Sequence, residues 1–211
     1  MTVVPYPYMI SRRVKGEEAT HHPKRLEILF ELSKYAALIN SIRTTGFGGT
    51  FDWSNNQLSL NTTWQEFLVK ELEIQERLQI LKKQRMLPPA KLKQLQSTLT
   101  KLTKMKVKPR LNHGDLRLKN VIVNKQGKIL AIIDWENCSS NYAPCWELSL
   151  ALHDLTIDEK QKVVEGYGIN AAKLREIAPF IKAFNIMNYV PHIEHRIKKK
   201  DLKRLEQIRL L

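Results

Sequence analysis

"HGDLRLKN" at residues 113–120, followed by "IIDWE" at residues 132–136, decides how this chain is read. Gly, Asp and Asn are ordinary turn residues, so a surface loop alone accounts for their presence. Their order and setting say more. Between the two stretches lies "VIVNKQGKILA", two short aliphatic runs about a turn containing Gly127, which is the pattern of a β-hairpin. A hairpin returns its chain on itself, so Asn120 at its entry and Asp134 at its exit should be neighbours. Asp115 lies in the loop at that same end. Two carboxylates and an amide oxygen in one place form a hard, oxygen-rich site of the kind that holds Mg2+ together with substrate phosphates. A carboxylate left off the metal is free to take the proton of an attacking hydroxyl. Phosphoryl transfer needs that division of labour.

Outward from this centre the pattern is helical. Upstream, Leu26, Leu29, Phe30, Ser33, Ala37 and Leu38 recur at spacings of three and four, which predicts a helix over about residues 23–40. "GFGGTF" and the residues after it read as a flexible loop. A second helix opens at "NTTWQEF", where Thr62 or Thr63 caps, Glu66 completes a capping box, and Trp64, Phe67, Leu68, Leu72 and Leu78 share a face. A third begins at "LPPAKL", with proline in its first turn and Leu92, Leu95, Leu99 and Leu102 on one side. After "ENCSSNYAP" the helical pattern resumes to the end, broken at Pro179 and Pro191. A short strand is expected at Tyr8, Met9 and Ile10 before the turn at Gly16.

Composition narrows the function classes. With 211 residues, 43% of them hydrophobic, the chain suits one domain or two small lobes with a real core. No apolar run approaches the length of a membrane span, and the first residues carry no secretory signal pattern. Cys138 and Cys145 lack disulfide or zinc spacing and read as unreactive thiols in a reducing, cytoplasmic setting. His192 and His195 sit one helical turn apart without a third ligand, so they read as surface residues. The formal charge of +14 favours an anionic partner. Although "HRIKKKDLKR" clusters near the C-terminus, no nucleic-acid signature accompanies it, so nucleotide or phosphate is the expected anion.

The ordered string H-G-D-x4-N, hairpin, I-D-W resembles the catalytic loop and metal-binding segment of the aminoglycoside phosphotransferase and choline-kinase-like family, which shares the protein-kinase fold. The resemblance implies an α+β, mostly α fold: the C-terminal lobe of a protein-kinase-like fold carrying a small catalytic hairpin. Asp115 would be the catalytic base, with His113 bracing its loop and Gly114 permitting the tight backbone. Asn120 and Asp134 would ligate Mg2+. "PYMISRRVKGE" resembles the last N-lobe strand and hinge, so backbone groups of Ser11, Arg12 and Arg13 would meet adenine, and Ile122 and Ile133 would pack on its ring. "APCWELSLAL" takes the place of the family's G-D-P-x-x-D-L-A, with Glu147 standing at the Asp that supports the catalytic loop. Trp135 would line the core beside Asp134.

By this likeness residues 1–16 are the remnant of the last N-lobe strand and hinge, and residues 17–211 are the C-lobe, with the N-terminal lobe absent. The implied activity is an ATP- or GTP-dependent phosphotransferase acting on a hydroxyl of a small molecule. A non-catalytic kinase-like remnant or one half of a split kinase remains open, with a separate N-lobe chain or self-association through the N-terminal strand as possible partners. Beyond Leu150, Lys and Arg outnumber Asp and Glu, so a neutral or anionic acceptor suits the charge better than a polycation.

Overall fold

The computed structural model describes residues 12–49 and 61–199. The expected strand at Tyr8–Ile10, the residue Ser11 and the end of the C-terminal basic cluster lie outside the described residues. Within them the chain is an α+β arrangement dominated by helices. Strand β1 (Glu17–Glu18) precedes α1 (Arg25–Ser41), then α2 (Trp64–Lys70), α3 (Ile74–Lys83) and α4 (Pro89–Lys104). Four short strands follow, β2 (Arg110–Asn112), β3 (Val121–Val123), β4 (Ile129–Ile132) and β5 (Ser139–Asn141). Helices α5 (Cys145–Ala151), α6 (Ile157–Tyr167) and α7 (Ala171–Lys198) complete the described chain.

The predicted hairpin is present as β3 and β4, antiparallel, with Val121 opposite Ile132 and Ile122 opposite Ala131. Its turn is held by the Asn124 carboxamide oxygen, which accepts from the N–H groups of Gln126 and Lys128. Two features enlarge it beyond a lone hairpin. Strand β1 adds to β3 to give three strands in the order β1-β3-β4, and β2 pairs with β5 to form a second small sheet. The hairpin has two unlike faces. Val121 and Val123 are fully buried, and Ile129 and Ile132 pack against the core with them. Leu130 and Ile133 are each 41% exposed.

The helices place and correct the periodicity reading. Thr63 caps α2 with the expected capping box to Glu66. The single long helix expected from there is two helices, because Glu73 adopts a left-handed conformation (φ 48°) and breaks the run between α2 and α3. The buried face of α1 also differs from the predicted one: Ile28, Leu29, Leu32, Ser33, Ala36 and Asn40 are buried, whereas Leu26 and Leu38 are exposed. The helix is turned so that Asn40 Nδ2 reaches the Leu111 carbonyl in β2, just before the His113–Asp115 loop (2.8 Å). It also packs against α6, approached so closely that a Cβ at Gly166 would lie 2.1 Å from the Phe30 carbonyl oxygen.

Prolines were expected to break the last helical segment, yet α7 runs through both Pro179 and Pro191. A proline removes the hydrogen bond to the carbonyl four residues earlier. For Pro191 that carbonyl belongs to Met187, and Arg77 Nη1 donates to it from α3 (3.0 Å). A side chain 110 residues away thus replaces the lost backbone donor. The core beneath is aromatic, with Trp64 stacked on Phe67, and Phe184 edge-on to both Trp64 and Trp146. Trp64 Nε1 donates to the Leu102 carbonyl (2.8 Å), tying α2 to the end of α4. Leu95, Leu99 and Leu102 of α4 are buried as predicted.

"GFGG" is anchored where a flexible loop was expected. Gly48 exchanges both backbone hydrogen bonds with Ser140 of β5, Phe47 N–H donates to the Asn61 carbonyl, and Glu71 Oε1 accepts from Gly49 N–H.

Candidate active site

The loop after β2 carries His113, Gly114 and Asp115 into the interior, where they are 0%, buried and 6% exposed respectively. Gly114 adopts φ 78° and lies against the Asn137 backbone, where a Cβ would come within 1.9 Å of the carbonyl oxygen. Only glycine meets both demands. Glu147, in the first turn of α5 and fully buried, accepts from the N–H groups of His113 (2.6 Å) and Gly114 (3.3 Å). Burial pushes the Glu147 carboxyl up to about 7, against the two N–H donors and Asn40, which favour its charged form. Glutamate therefore reaches the loop from the position where the family resemblance has aspartate.

His113 ties the loop to the hairpin. Asp115 N–H donates to its Nδ1 (3.3 Å), which assigns the proton to Nε2, and Nε2 faces the Ile133 carbonyl (3.0 Å). Burial lowers its pKa, keeping the imidazole neutral despite help for the charged form from Ile133, Asp115 and Asp134. Trp135 covers this ring at 4.5 Å between centroids. At 38% exposure it is a lid over His113 and not the core residue that was expected.

Asp115 collects three side-chain donors. Asn120 Nδ2 donates to its carbonyl (2.8 Å) and to Oδ2 (2.9 Å), Arg117 Nε pairs with Oδ1, and Lys119 Nζ lies 2.8 Å from Oδ2. Burial alone would raise the Asp115 pKa. Arg117, Lys119 and Asn120 together outweigh it and hold the carboxyl below its ordinary value. Arg117 and Lys119 carry no role in the sequence reading, although they stand in the quoted string. Their alternation with Leu116 and Leu118, which are 3% and 5% exposed, was the available signal that both turn outward together.

Asn120 and Asp134 do come to the same end of the hairpin. Ile133 N–H donates to the Asn120 carbonyl (2.9 Å), so Asp134 is the next residue after that rung. Asn120 is 4% exposed, while Asp134 stands exposed in a left-handed conformation (φ 64°) where β4 ends. Their oxygens suit a hard cation: one carboxylate and one amide oxygen, with remaining positions left for phosphate and water. The nucleotide-side expectations are less concentrated. Ile122 is half-buried and shares the outer hairpin face with Ile133, and Gly16 sits so close over it that a Cβ would be 2.6 Å from Ile122 Cγ2. Arg12 and Arg13 are exposed.

Cys138 and Cys145 are buried free thiols, both pushed up by burial, Cys145 to about 12, as befits unreactive groups. His192 and His195 are exposed on α7, and no cluster of three metal-binding side chains occurs among the described residues. No described helix is long and apolar enough to cross a membrane.

The fold is similar to that of aminoglycoside phosphotransferase APH(4)-Ia, with a TM-score of 0.64, 16% identity, and coverage of 94% of this chain and 67% of that one. A thermostable mutant of that enzyme, in ternary complex with ADP and hygromycin B, matches with a TM-score of 0.62 and 17% identity over 94% of this chain and 67% of the other. A GDP complex of an aminoglycoside 2'-phosphotransferase-IIIa mutant gives a TM-score of 0.57 and 16% identity over 94% and 68%. The chain therefore spans about two thirds of the length of these structures. No curated protein sequence matches it significantly. The sequence profile of the phosphotransferase enzyme family matches residues 3–180. With most of its length in that match, and with the loop, hairpin and brace arranged as described, this chain belongs to the phosphotransferase enzyme family.

Proposed function

We propose that this protein transfers the terminal phosphoryl group of ATP or GTP to a hydroxyl of a small molecule. The observation that carries the reading is the joint between Asp115 and Asn120, in which one buried amide holds both the carbonyl and the carboxylate of Asp115. A base so fixed beside a ligand for the phosphates' counter-ion is what transfer to a hydroxyl requires. Asp115 receives the acceptor proton. The acceptor oxygen bonds to the γ-phosphorus, the bond from that phosphorus to the β–γ bridging oxygen breaks, and its electron pair leaves on the diphosphate. Asp115 is kept ionised for this role by its cationic and amide neighbours.

Asn120 Oδ1 and the Asp134 carboxylate would hold Mg2+, which neutralises phosphate charge when bound. His113, neutral and bridged to Ile133, positions the loop against the hairpin. The outer hairpin face, with Ile122 half-buried and Ile133 41% exposed, would offer an apolar platform for a purine ring, whose edge backbone groups of Arg12 and Arg13 would meet. Related structures bound to ADP and to GDP are consistent with either purine nucleotide. The net charge of +14 favours a neutral or anionic acceptor over a polycationic one.

The test is nucleotide binding by thermal shift and calorimetry with and without Mg2+, followed by phosphate transfer across a panel of hydroxyl compounds. Mg2+-dependent binding of ATP or GTP, and transfer that Asp115→Asn removes, are expected. Failure to bind either triphosphate sinks the reading.

A further inference from the structure

We propose that the outer face of α4 and the segment following it form a docking surface for the phosphate backbone of double-stranded nucleic acid. The inference goes beyond the phosphotransferase reading and uses none of its residues.

A sequence asymmetry comes first. Between Arg77 and Gly114 there is no Asp or Glu, although Lys and Arg recur throughout. The fold turns this stretch into a surface. Along α4, Leu95, Leu99 and Leu102 are buried, and Lys93, Ser97, Lys101 and Lys104 form an exposed stripe on the opposite side, at helical spacing. Beyond the helix, exposed Lys106 and Lys108 alternate with half-buried Met105 and Val107, so both ammonium groups project into solvent.

Lysines on the other helices are neutralised within one turn. Lys24, Lys34, Lys70, Lys162 and Lys173 each pair with a glutamate three or four residues away. Among the described residues, Lys93, Lys101, Lys104, Lys106 and Lys108 have no carboxylate partner. Fold stability does not account for them. The helix macrodipole favours Lys101 and Lys104 at the end of α4, but it disfavours Lys91 in the first turn and does not reach Lys108. Lys101 and Lys104 also repel each other across one turn.

The chemistry between the cations selects the partner. Gln94, Gln96, Ser97, Thr100 and Thr103 are exposed among the lysines, and amides and hydroxyls join lysine in contacting phosphate and sugar oxygens. No Phe, Tyr or Trp occurs between Arg77 and Gly114, and no large apolar side chain of this stretch is exposed. A single strand would find no ring on which to stack its bases. A membrane surface would find no apolar anchor, and an acidic protein none of the aromatic anchors that carry interfaces. A duplex needs neither, because its bases are already stacked and its phosphates face outward. The 16 residues of α4 extend about 24 Å, which matches roughly seven base-pair steps along the duplex. Beside the stripe, a groove of about 450 Å3 between α4 and Pro179 of α7, edged by Lys93, Gln94, Ser97 and Lys101, gives room for a phosphate ridge. Glu176, one turn before Pro179, is already paired with Lys173. The stretch has no base-reading motif, so docking is to the backbone and independent of base sequence.

The test is fluorescence anisotropy of a labelled DNA duplex of about 20 base pairs, titrated with the full chain between about 50 and 200 mM salt. The logarithm of the binding constant should fall linearly with that of salt, with a slope of about −4 to −5 for five lysines. Replacing three of them together (Lys93→Gln, Lys101→Gln, Lys104→Gln) should weaken binding at least about tenfold and reduce the slope by about three. All three are exposed, so the melting temperature should be that of wild type. Lys106→Gln with Lys108→Gln, outside the helix, should weaken binding in the same direction without touching α4 packing. Removing equal charge from the C-terminal cluster (Lys198→Gln, Lys199→Gln, Lys200→Gln) should change affinity less than about twofold. A duplex of scrambled sequence should bind equally well. A single strand of the same length and phosphatidylserine vesicles should bind at least about tenfold more weakly.

Equal losses in the α4 and C-terminal variants would mean that net charge, and not this surface, attracts the duplex. Tighter binding of the single strand or the vesicles, undiminished binding by the α4 variant, or no duplex binding by wild type at the lowest salt would each overturn the assignment. The phosphotransferase reading is untouched by these outcomes and stands or falls on nucleotide binding.

Discussion

Two buried carboxylates belong to one hydrogen-bond network and are driven in opposite directions. Asp115, in the loop after β2, is held below its ordinary pKa despite burial, because Arg117, Lys119 and Asn120 surround it. Glu147, on α5, is pushed up to about 7 by complete burial, with only backbone N–H groups and an amide to favour its charge. His113 joins them, offering its N–H to Glu147 and its Nδ1 to the Asp115 N–H. The difference separates two tasks. The carboxylate nearer solvent is kept charged by cations, as the proposed base requires, while the one that braces a backbone is sealed away and tolerates neutrality.

The largest expected effect tests the Asp115 side. If it is the base, Asp115→Asn should lower transfer by about a hundred- to ten-thousand-fold in a coupled assay, with nucleotide affinity largely retained. Its effect on stability should be small near neutral pH. A depressed folded pKa contributes stability above the unfolded value that is lost as pH falls through the folded one, but half-exposed cationic partners weaken this. Undiminished transfer by the Asn variant would break the contrast at once.

Glu147→Ala comes next. It strands the N–H groups of His113 and Gly114 in the interior and leaves a void, and should cost about 2–4 kcal/mol in chemical denaturation. A loss below about 0.5 kcal/mol would mean that the carboxylate is not a brace.

The pH dependence then sharpens the comparison. A raised folded pKa gives a contribution that is fully present below the unfolded value of 4.5 and is lost as pH rises through about 7. Wild-type stability relative to Glu147→Gln should therefore fall from about pH 5 to pH 8, by on the order of 2 kcal/mol. A difference that stays flat, or that grows with pH, contradicts the assigned direction.

The smallest effect is expected on the outer face of the hairpin. Ile133, at 41% exposure, should tolerate alanine with a stability change below about 0.5 kcal/mol, whereas Val123→Ala on the buried face should cost about 1–3 kcal/mol. If the outer face carries the purine, Ile133→Ala should still weaken nucleotide binding a few-fold in calorimetry, through lost apolar contact. Equal stability losses at the two positions would remove the distinction between the faces.

Much of the site was legible because its residues are close in sequence. Asp115 and Asn120 lie five positions apart, and one hairpin turn suffices to bring Asp134 back beside them. The Thr63 capping box and the start of α4 at proline were legible for the same reason, since both depend on residues within one turn. The division of α2 from α3 was not, because nothing in the apolar spacing distinguishes Glu73 in a left-handed conformation from one more helical residue. Likewise, α1 shows a plausible stripe through Leu26 and Leu38, and only its contacts with α6 and Leu111 select the neighbouring face through Ile28, Leu32 and Ala36.

Sequence by itself determined the hairpin, the family likeness and the candidate set of Asp115, Asn120 and Asp134, because short-range order carries them. Tertiary structure alone decided their condition. It brought Glu147 from 34 residues away to the His113 N–H, and it set Arg77 on the carbonyl that Pro191 leaves without a donor. It also turned two cations onto the carboxylate of Asp115. Charge state and helix continuity depend on burial and on partners supplied by distant segments, and neither can be read from the order of residues along a single element.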